Sequence, residues 1–361
     1  MQKKWMAVNL NRKNPTAIIC LSPNSGGMEI DAIKLAKKLS SHTLITLIAK
    51  QDCFIANSKN DYIGYNSIEL ETIPFLFSIS PSIIFRVRRI IQEKGIKNII
   101  FFGASELKSL YFSFLGLNMN LIVRHGTNKS APKKDWFHKL IYSDVHYHVA
   151  ICKHLQKNVD FIIPFGQKSQ SKLIYSSVNL PNFHPIKSDC FTLLNVGRIE
   201  ARKGQADAIK ACNILYEKGI DFHFYLAGGI APKYHTIFMD FYNSLPYKDK
   251  ITLVGHTPNV IDYYAKADLF LFPSYGEGLS NAFLEALSCG LECIAYDNTS
   301  FPELKELGLD FHLVENKNID QLSHTLLHCA QNRSINQGNI TKIAEKFSTQ
   351  AEIKQYLELL E

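Results

Sequence analysis

Glu277 and Glu285 stand eight positions apart in the segment S-Y-G-E-G-L-S-N-A-F-L-E-A-L-S-C-G (274–290), directly after the apolar run D-L-F-L-F-P (268–273). The run reads as a buried strand and Y-G-E-G-L as the turn that leaves it. Ser280 is placed to cap a helix from Asn281 to about Cys289, which Gly290 stops. The first turn of a helix offers backbone N–H groups without intrahelical acceptors, so Gly278, Leu279 and Ser280 would border an anion site suited to a diphosphate. Carboxylates repel phosphate but accept hydrogen bonds from hydroxyls. Glu277 in the turn and Glu285 one turn further in therefore suit a nucleotide-sugar, with Glu285 on a vicinal diol such as a ribose. A surface helix with solvated glutamates is the plainer alternative, but it leaves the glycines flanking Glu277 unexplained.

The cations that a departing diphosphate needs are found in N-V-G-R-I-E-A-R-K-G (195–204). There a strand ends at Gly197, Arg198 offers a forked donor, and Lys203 offers a point charge before the next helix. Arg202 is expected to face solvent. A basic turn alone is usually a solvated loop; its value here is its place at the end of a strand in the same sheet as the glutamates. In P-N-S-G-G-M-E (23–29), Gly26 and Gly27 would let backbone approach a ligand at a helix start, or simply make a tight turn. The segment lacks a full G-x-G-x-x-G and is not a Walker loop, so nicotinamide and ATP chemistry is unsupported. In V-R-H-G-T (123–127), His125 sits just past a strand; a lone histidine there is more often structural than catalytic. His146 and His148 lie in a strand and alternate to one face, too few ligands for a metal. No D-x-D occurs in the chain, so no acidic pair is set to hold a divalent metal beside the phosphates.

Alternating strands and helices must position these groups. Strand-like runs lie at 16–22, 43–49, 98–103, 120–126 and 145–151, and again at 191–197, 222–228, 251–255, 268–273 and 292–297. Amphipathic stretches separate most of them, such as 28–39, where Ile30, Ile33 and Leu39 share a face. Near-continuous apolar strands alternating with helices imply parallel sheets covered on both faces. Two such sets give an α/β chain of two Rossmann-like domains, 1–182 and 186–346, with a seam near 179–189 and a last helix at 347–361 free to pack on either.

The 361 residues are 46% hydrophobic and 20% charged, a soluble globular balance. Residues 1–180 hold 24 Lys and Arg against 11 Asp and Glu, whereas the remainder holds 16 against 22. Such asymmetry suggests that the first half meets an anionic surface. R-V-R-R-I-I-Q-E-K-G-I-K (86–97) puts cations beside Ile83, Ile84, Ile90 and Ile91, and 129–139 sets lysines beside Trp136 and Phe137. That pattern suits docking to anionic lipid, or is an ordinary solvated face. No recognition module for nucleic acid accompanies it. Neither a signal peptide nor a membrane span is expected, and the eight cysteines read as reduced thiols of a cytosolic protein.

The spacing of Glu277 and Glu285 resembles the E-x7-E motif of the retaining glycosyltransferases of family 4, which have the GT-B fold: two Rossmann-like domains facing across a cleft. G-R-I-E-A-R-K-G resembles that family's G-R-x-x-x-x-K-G, S-G-G its glycine loop, and R-H-G its strand-end histidine. The likeness is specific over 191–303 and loose over 50–120. It implies that Arg198, Lys203 and the Gly26–Gly27 loop bind the donor diphosphate, Glu285 the ribose, and Glu277 the transferred sugar, with His125 near the sugar or the acceptor hydroxyl. It further implies a cytoplasmic hexosyltransferase that retains anomeric configuration and uses neither metal nor cofactor. The acceptor it implies is a lipid-linked or lipopolysaccharide-type saccharide at the inner face of a bacterial membrane. An epimerase on the same fold, or a non-catalytic nucleotide-sugar binder, are the alternatives. The chain departs from the pattern at Thr299-Ser300, where the family often has Gly-Gly a few residues before a further glutamate, here Glu303.

Overall fold

The computed structural model describes residues 14–24, 26–61, 67–103, 105–178 and 189–361. They form two compact units: Met1–Ile174 with Glu352–Glu361, and Tyr175–Ala351. The seam expected at 179–189 falls, apart from Asp189, outside the described residues.

The first unit is a seven-stranded sheet of β1 (Thr16–Cys20), β2 (Ile45–Lys50), β3 (Ile68–Ile73), β4 (Asn98–Phe102), β5 (Asn120–His125), β6 (Tyr147–Ala150) and β7 (Gln170–Leu173). Its order is β3-β2-β1-β4-β5-β6-β7 and its pairs are parallel. Alternation along β1 sends Ala17, Ile19 and Leu21 into one core and Ile18 and Cys20 into the other, so the sheet is covered on both faces. The edge strands were not legible in the sequence. β3 reads I-E-L-E-T-I and β7 reads Q-S-K-L, because a sheet edge is half solvated and tolerates charge.

Helix Gly27–Leu39 packs through Ala32, Ile33, Leu35, Ala36 and Leu39. Ile30, expected on that face, points outward, and the small Ala32 and Ala36 take the sheet side instead. In helix Pro81–Glu93, Ile83, Ile90 and Ile91 are core residues, not partners of the surface arginines. The final helix, Thr349–Leu360, seats Tyr356, Leu359 and Leu360 in the first unit's core. Lys38 Nζ meets Glu352 at 2.6 Å, Arg124 Nε donates to the Tyr356 hydroxyl at 3.1 Å, and Asn120 Nδ2 donates to the Leu359 carbonyl at 2.6 Å.

The second unit holds β8 (Phe191–Val196), β9 (Phe222–Ala227), β10 (Ile251–Gly255), β11 (Leu269–Phe272), β12 (Glu292–Tyr296) and β13 (His312–Val314) in the order β10-β9-β8-β11-β12-β13, again with parallel pairs. Chain direction across the sheet reverses between β8 and β11. Leu269 and Leu271 face one core, while Phe270 and Phe272 stack on each other and pack against Phe283 and Phe301 on the other face. Truncating one of these buried rings to alanine costs about 3–5 kcal/mol.

Candidate active site

Doubly wound sheets bind ligands beyond the carboxyl ends of their strands, where the order reverses. In the second unit that point lies between the loops leaving β8 and β11, which carry Arg198, Lys203, Glu277, Gly278, Leu279 and Ser280. A buried polar chain ties the two loops together. Asn195 Nδ2 donates to the Leu271 carbonyl at 2.7 Å, and Gln205 Nε2 lies 3.3 Å from Asn195 Oδ1 and 3.1 Å from the Arg198 carbonyl. Gly204 turns with φ +70°, and a Cβ there would sit 1.8 Å from the Pro273 carbonyl oxygen, so only glycine fits. The Tyr275 N–H donates to the Arg202 carbonyl at 2.9 Å, which sets the loops edge to edge.

Lys203 Nζ and Glu277 Oε1 meet at 2.6 Å, with side chains 17% and 11% exposed. Ser274 Oγ donates to the same carboxylate oxygen at 2.8 Å. The Glu277 N–H donates to Thr299 Oγ1 at 3.1 Å, and that hydroxyl donates to Asn298 Oδ1 at 3.0 Å. Thr299 has φ +48°, a strained conformation for a β-branched residue. Thr299, where the sequence departs from the pattern it resembles, thus supplies a side chain that holds the backbone of Glu277. Arg202 pairs with Glu200 and is exposed, as expected.

Ser280 caps helix Asn281–Ser288 by accepting from the Phe283 N–H at 3.3 Å, and Gly290, at φ +74°, ends it. Glu285 Oε2 lies 3.2 Å from the Tyr264 hydroxyl, which also reaches the Ala282 carbonyl at 3.0 Å. Burial first, and Glu285 second, push the Tyr264 phenol well above its ordinary range, so it stays a neutral donor beside the carboxylate. Asp207 is buried and accepts from the hydroxyls of Tyr275 and Tyr296 at 2.8 and 2.9 Å, bracing the turn that bears Glu277. Asn195, Gln205 and Asp207 carried no sequence signal of their own, because their roles depend on contacts between loops far apart in the chain.

The remaining candidates belong to the first unit. His125 ends β5 and is buried; its Nε2 lies 3.1 Å from His148 Nδ1, and His148 stacks on Phe165 at 4.4 Å. His125 Nδ1 and His148 Nε2 are buried without a hydrogen-bond partner. Desolvation holds His125 far below its ordinary range and His148 at about 3, so both rings are neutral donor–acceptors. His125 is therefore half of a buried pair, a link that sequence spacing did not disclose. Gly26 is the extended N-cap of helix Gly27–Leu39; a Cβ there would come 3.2 Å from the Glu29 carboxylate, whereas one on Gly27 would meet nothing.

Two other clusters lie at the amino ends of strands, away from these loops. A cavity of about 930 Å³ is bordered by Met119, His146 and Lys168 before β5, β6 and β7. Glu292, His312 and Cys329 bring three possible metal-ligand atoms within 4.8 Å of one another. Burial first, then Glu292, raises the Cys329 thiol.

Two Rossmann-like units, each with its candidate residues at the carboxyl edge of a parallel sheet, constitute the GT-B fold. The structure matches a glycosyltransferase from Rickettsia africae with a TM-score of 0.82 at 17% identity, covering 96% of this chain and 98% of that one. It matches Anabaena HepE, solved in complex with UDP-glucose, with a TM-score of 0.79 at 18% identity, covering 96% and 99%. Residues 190–332, which lie within the second unit, match the family model of glycosyl transferases group 1. Among curated relatives, the amylovoran biosynthesis glycosyltransferase AmsK of Erwinia amylovora is 28% identical over 183 residues, 47% of this chain and less than half (44%) of that protein. The capsular polysaccharide biosynthesis glycosyltransferase CapM of Staphylococcus aureus is 23% identical over 319 residues, 85% of this chain and 76% of that one.

Proposed function

We propose that this protein is a retaining glycosyltransferase of family 4. It would move a hexose-type sugar from a nucleotide-sugar to a saccharide acceptor in the synthesis of lipopolysaccharide or another bacterial cell-surface polysaccharide. The observation that carries the reading is the Lys203–Glu277 pair at the reversal point of the second sheet, within the matched domain. A cation and a carboxylate held together suit a ligand with both a diphosphate and hydroxyls.

In this reading Arg198, Lys203 and the N–H groups at Gly278, Leu279 and Ser280 hold the donor diphosphate. Lys203 turns part of its charge from Glu277 to the phosphate, which leaves Glu277 to accept from sugar hydroxyls. Glu285, oriented by Tyr264, grips the ribose. The anomeric C–O bond to the diphosphate breaks as the acceptor oxygen bonds to the same face. The acceptor's proton passes to the leaving phosphate oxygen, whose charge Arg198 and Lys203 stabilise without a bound metal. Neutral His125, fixed by His148, orients a hydroxyl of sugar or acceptor. The acceptor is a saccharide carried on lipid, and the basic first unit works at an anionic membrane surface on the cytoplasmic side. Among the described residues no helix is long and apolar enough to cross a membrane.

The test is transfer by Glu277→Ala and Lys203→Ala. Each variant should lose activity by about 100-fold or more while its unfolding stays cooperative. Full activity in both would end the assignment, and conversion of donor without acceptor, seen by NMR, would replace it with epimerase chemistry.

A further inference from the structure

The loop after β3 exposes large apolar side chains that no neighbour covers: Leu76 is 86% exposed, Phe77 75%, Ile79 58%, and Phe85, in the first turns of the following helix, 71%. Single exposed apolar residues are ordinary, but four within ten positions mark a contact surface. The loop is also built to hold them outward. Phe75 packs against the core. The buried Ser109 hydroxyl donates to the Ser78 carbonyl at 2.7 Å and accepts from the Ser80 N–H at 2.9 Å. These contacts fix the segment at Phe75, Ser78 and Ser80, with its apolar tips outward. Arg86 and Arg89 are exposed beside Phe85, Arg89 meeting Glu93 at 2.7 Å, and Lys50 Nζ lies 5.0 Å from the Phe75 ring. Apolar tips flanked by cations match the interface of an anionic bilayer, where apolar groups enter the acyl boundary and cations meet headgroup phosphates. The loop leaves the carboxyl end of β3, the same edge that bears Gly26 and His125, so a lipid-linked saccharide would be presented to that edge.

We infer that Leu76, Phe77, Ile79 and Phe85 form the membrane-inserting surface of this protein and that Ser109 holds it open. This rests on the reading that the acceptor is membrane-borne. The test is co-sedimentation of the full chain with phosphatidylglycerol–phosphatidylcholine vesicles and with phosphatidylcholine alone, with nucleotide-sugar binding measured on the same samples. Wild type should bind the anionic vesicles more tightly. The double variant Leu76→Ser, Phe77→Ser should bind about tenfold or more weakly with donor binding unchanged. Ser109→Ala should show a smaller loss, and Ile237→Ser, an exposed residue of the second unit, none. If wild type binds and the loop variant binds equally, the loop assignment is wrong while membrane docking stands. If wild type binds no vesicles, both fall. A dimer that the loop variant dissociates, without vesicle binding, would make the surface a contact between copies.

Discussion

Replacing Thr299 separates backbone strain from the positioning of Glu277. The residue sits at φ +48°, and its hydroxyl accepts from the Glu277 N–H at 3.1 Å while donating to Asn298 Oδ1 at 3.0 Å. Thr299→Val keeps the strain and removes both hydrogen bonds. The Glu277 N–H then loses its partner in a half-buried turn, at a cost of about 1–3 kcal/mol. Thr299→Gly relieves about 1–2 kcal/mol of left-handed strain, loses only about 1 kcal/mol of hydrogen bonding because the missing side chain lets water reach the freed N–H, and adds about 0.5–1 kcal/mol of unfolded-chain entropy. Its stability should stay within about 1 kcal/mol of wild type, or about 2–4 °C in Tm. Both variants free the Glu277 backbone, and a displacement near 1 Å costs about 100-fold in turnover. Thr299→Ser keeps the hydroxyl and should retain activity. Thermal unfolding and steady-state transfer on the three variants give the pattern: serine active, glycine stable but impaired, valine both unstable and impaired. Wild-type turnover in the valine variant, or a glycine variant less stable than the valine one, would refute the role.

Other expectations are simpler. Gly204→Ala places a methyl group against the Pro273 carbonyl at a left-handed φ, so the protein should be insoluble or melt more than about 10 °C lower. Tyr264→Phe removes the donor to Glu285 and should weaken binding of a nucleoside diphosphate severalfold in calorimetry, leaving Tm nearly unchanged. The His125–His148 pair should make the first unit acid-labile. Their folded values lie below the ordinary 6.5, so the unfolded chain binds more protons as pH falls. For His148 stability is full above about 6.5 and is lost from there down towards about 3, at about 1.4 kcal/mol per pH unit, and His125 adds a loss in the same direction. In denaturant melts from pH 7 to 4, His148→Phe should roughly halve that slope; an unchanged slope would mean the ring is solvated.

The two parallel-sheet units were legible because their central strands are nearly pure hydrocarbon. L-F-L-F and N-I-I-F-F leave little alternative to burial between helices. The Ser280 cap and the Gly290 stop were legible for a related reason: local backbone chemistry fixes them. The edge strands β3 and β7 were not, since solvated edges lose the apolar signature. Nor was the bracing of the site legible. Asp207 meets Tyr275 and Tyr296, and Thr299 meets Glu277, only once distant loops converge. The ion pair of Lys203, read as a point charge for the diphosphate, was not legible either, because its partner Glu277 lies 74 positions away.

The central claim is that one end of the second unit holds a diphosphate through Arg198 and Lys203 and a ribose through Glu285. Calorimetry with two ligands tests it most directly: inorganic pyrophosphate, and whichever of UDP, GDP or ADP raises Tm most. Lys203→Ala should weaken both ligands, whereas Glu285→Ala should weaken the nucleotide about tenfold or more and leave pyrophosphate unchanged. Equal loss of both ligands in Glu285→Ala, or no loss of either in Lys203→Ala, would contradict the account.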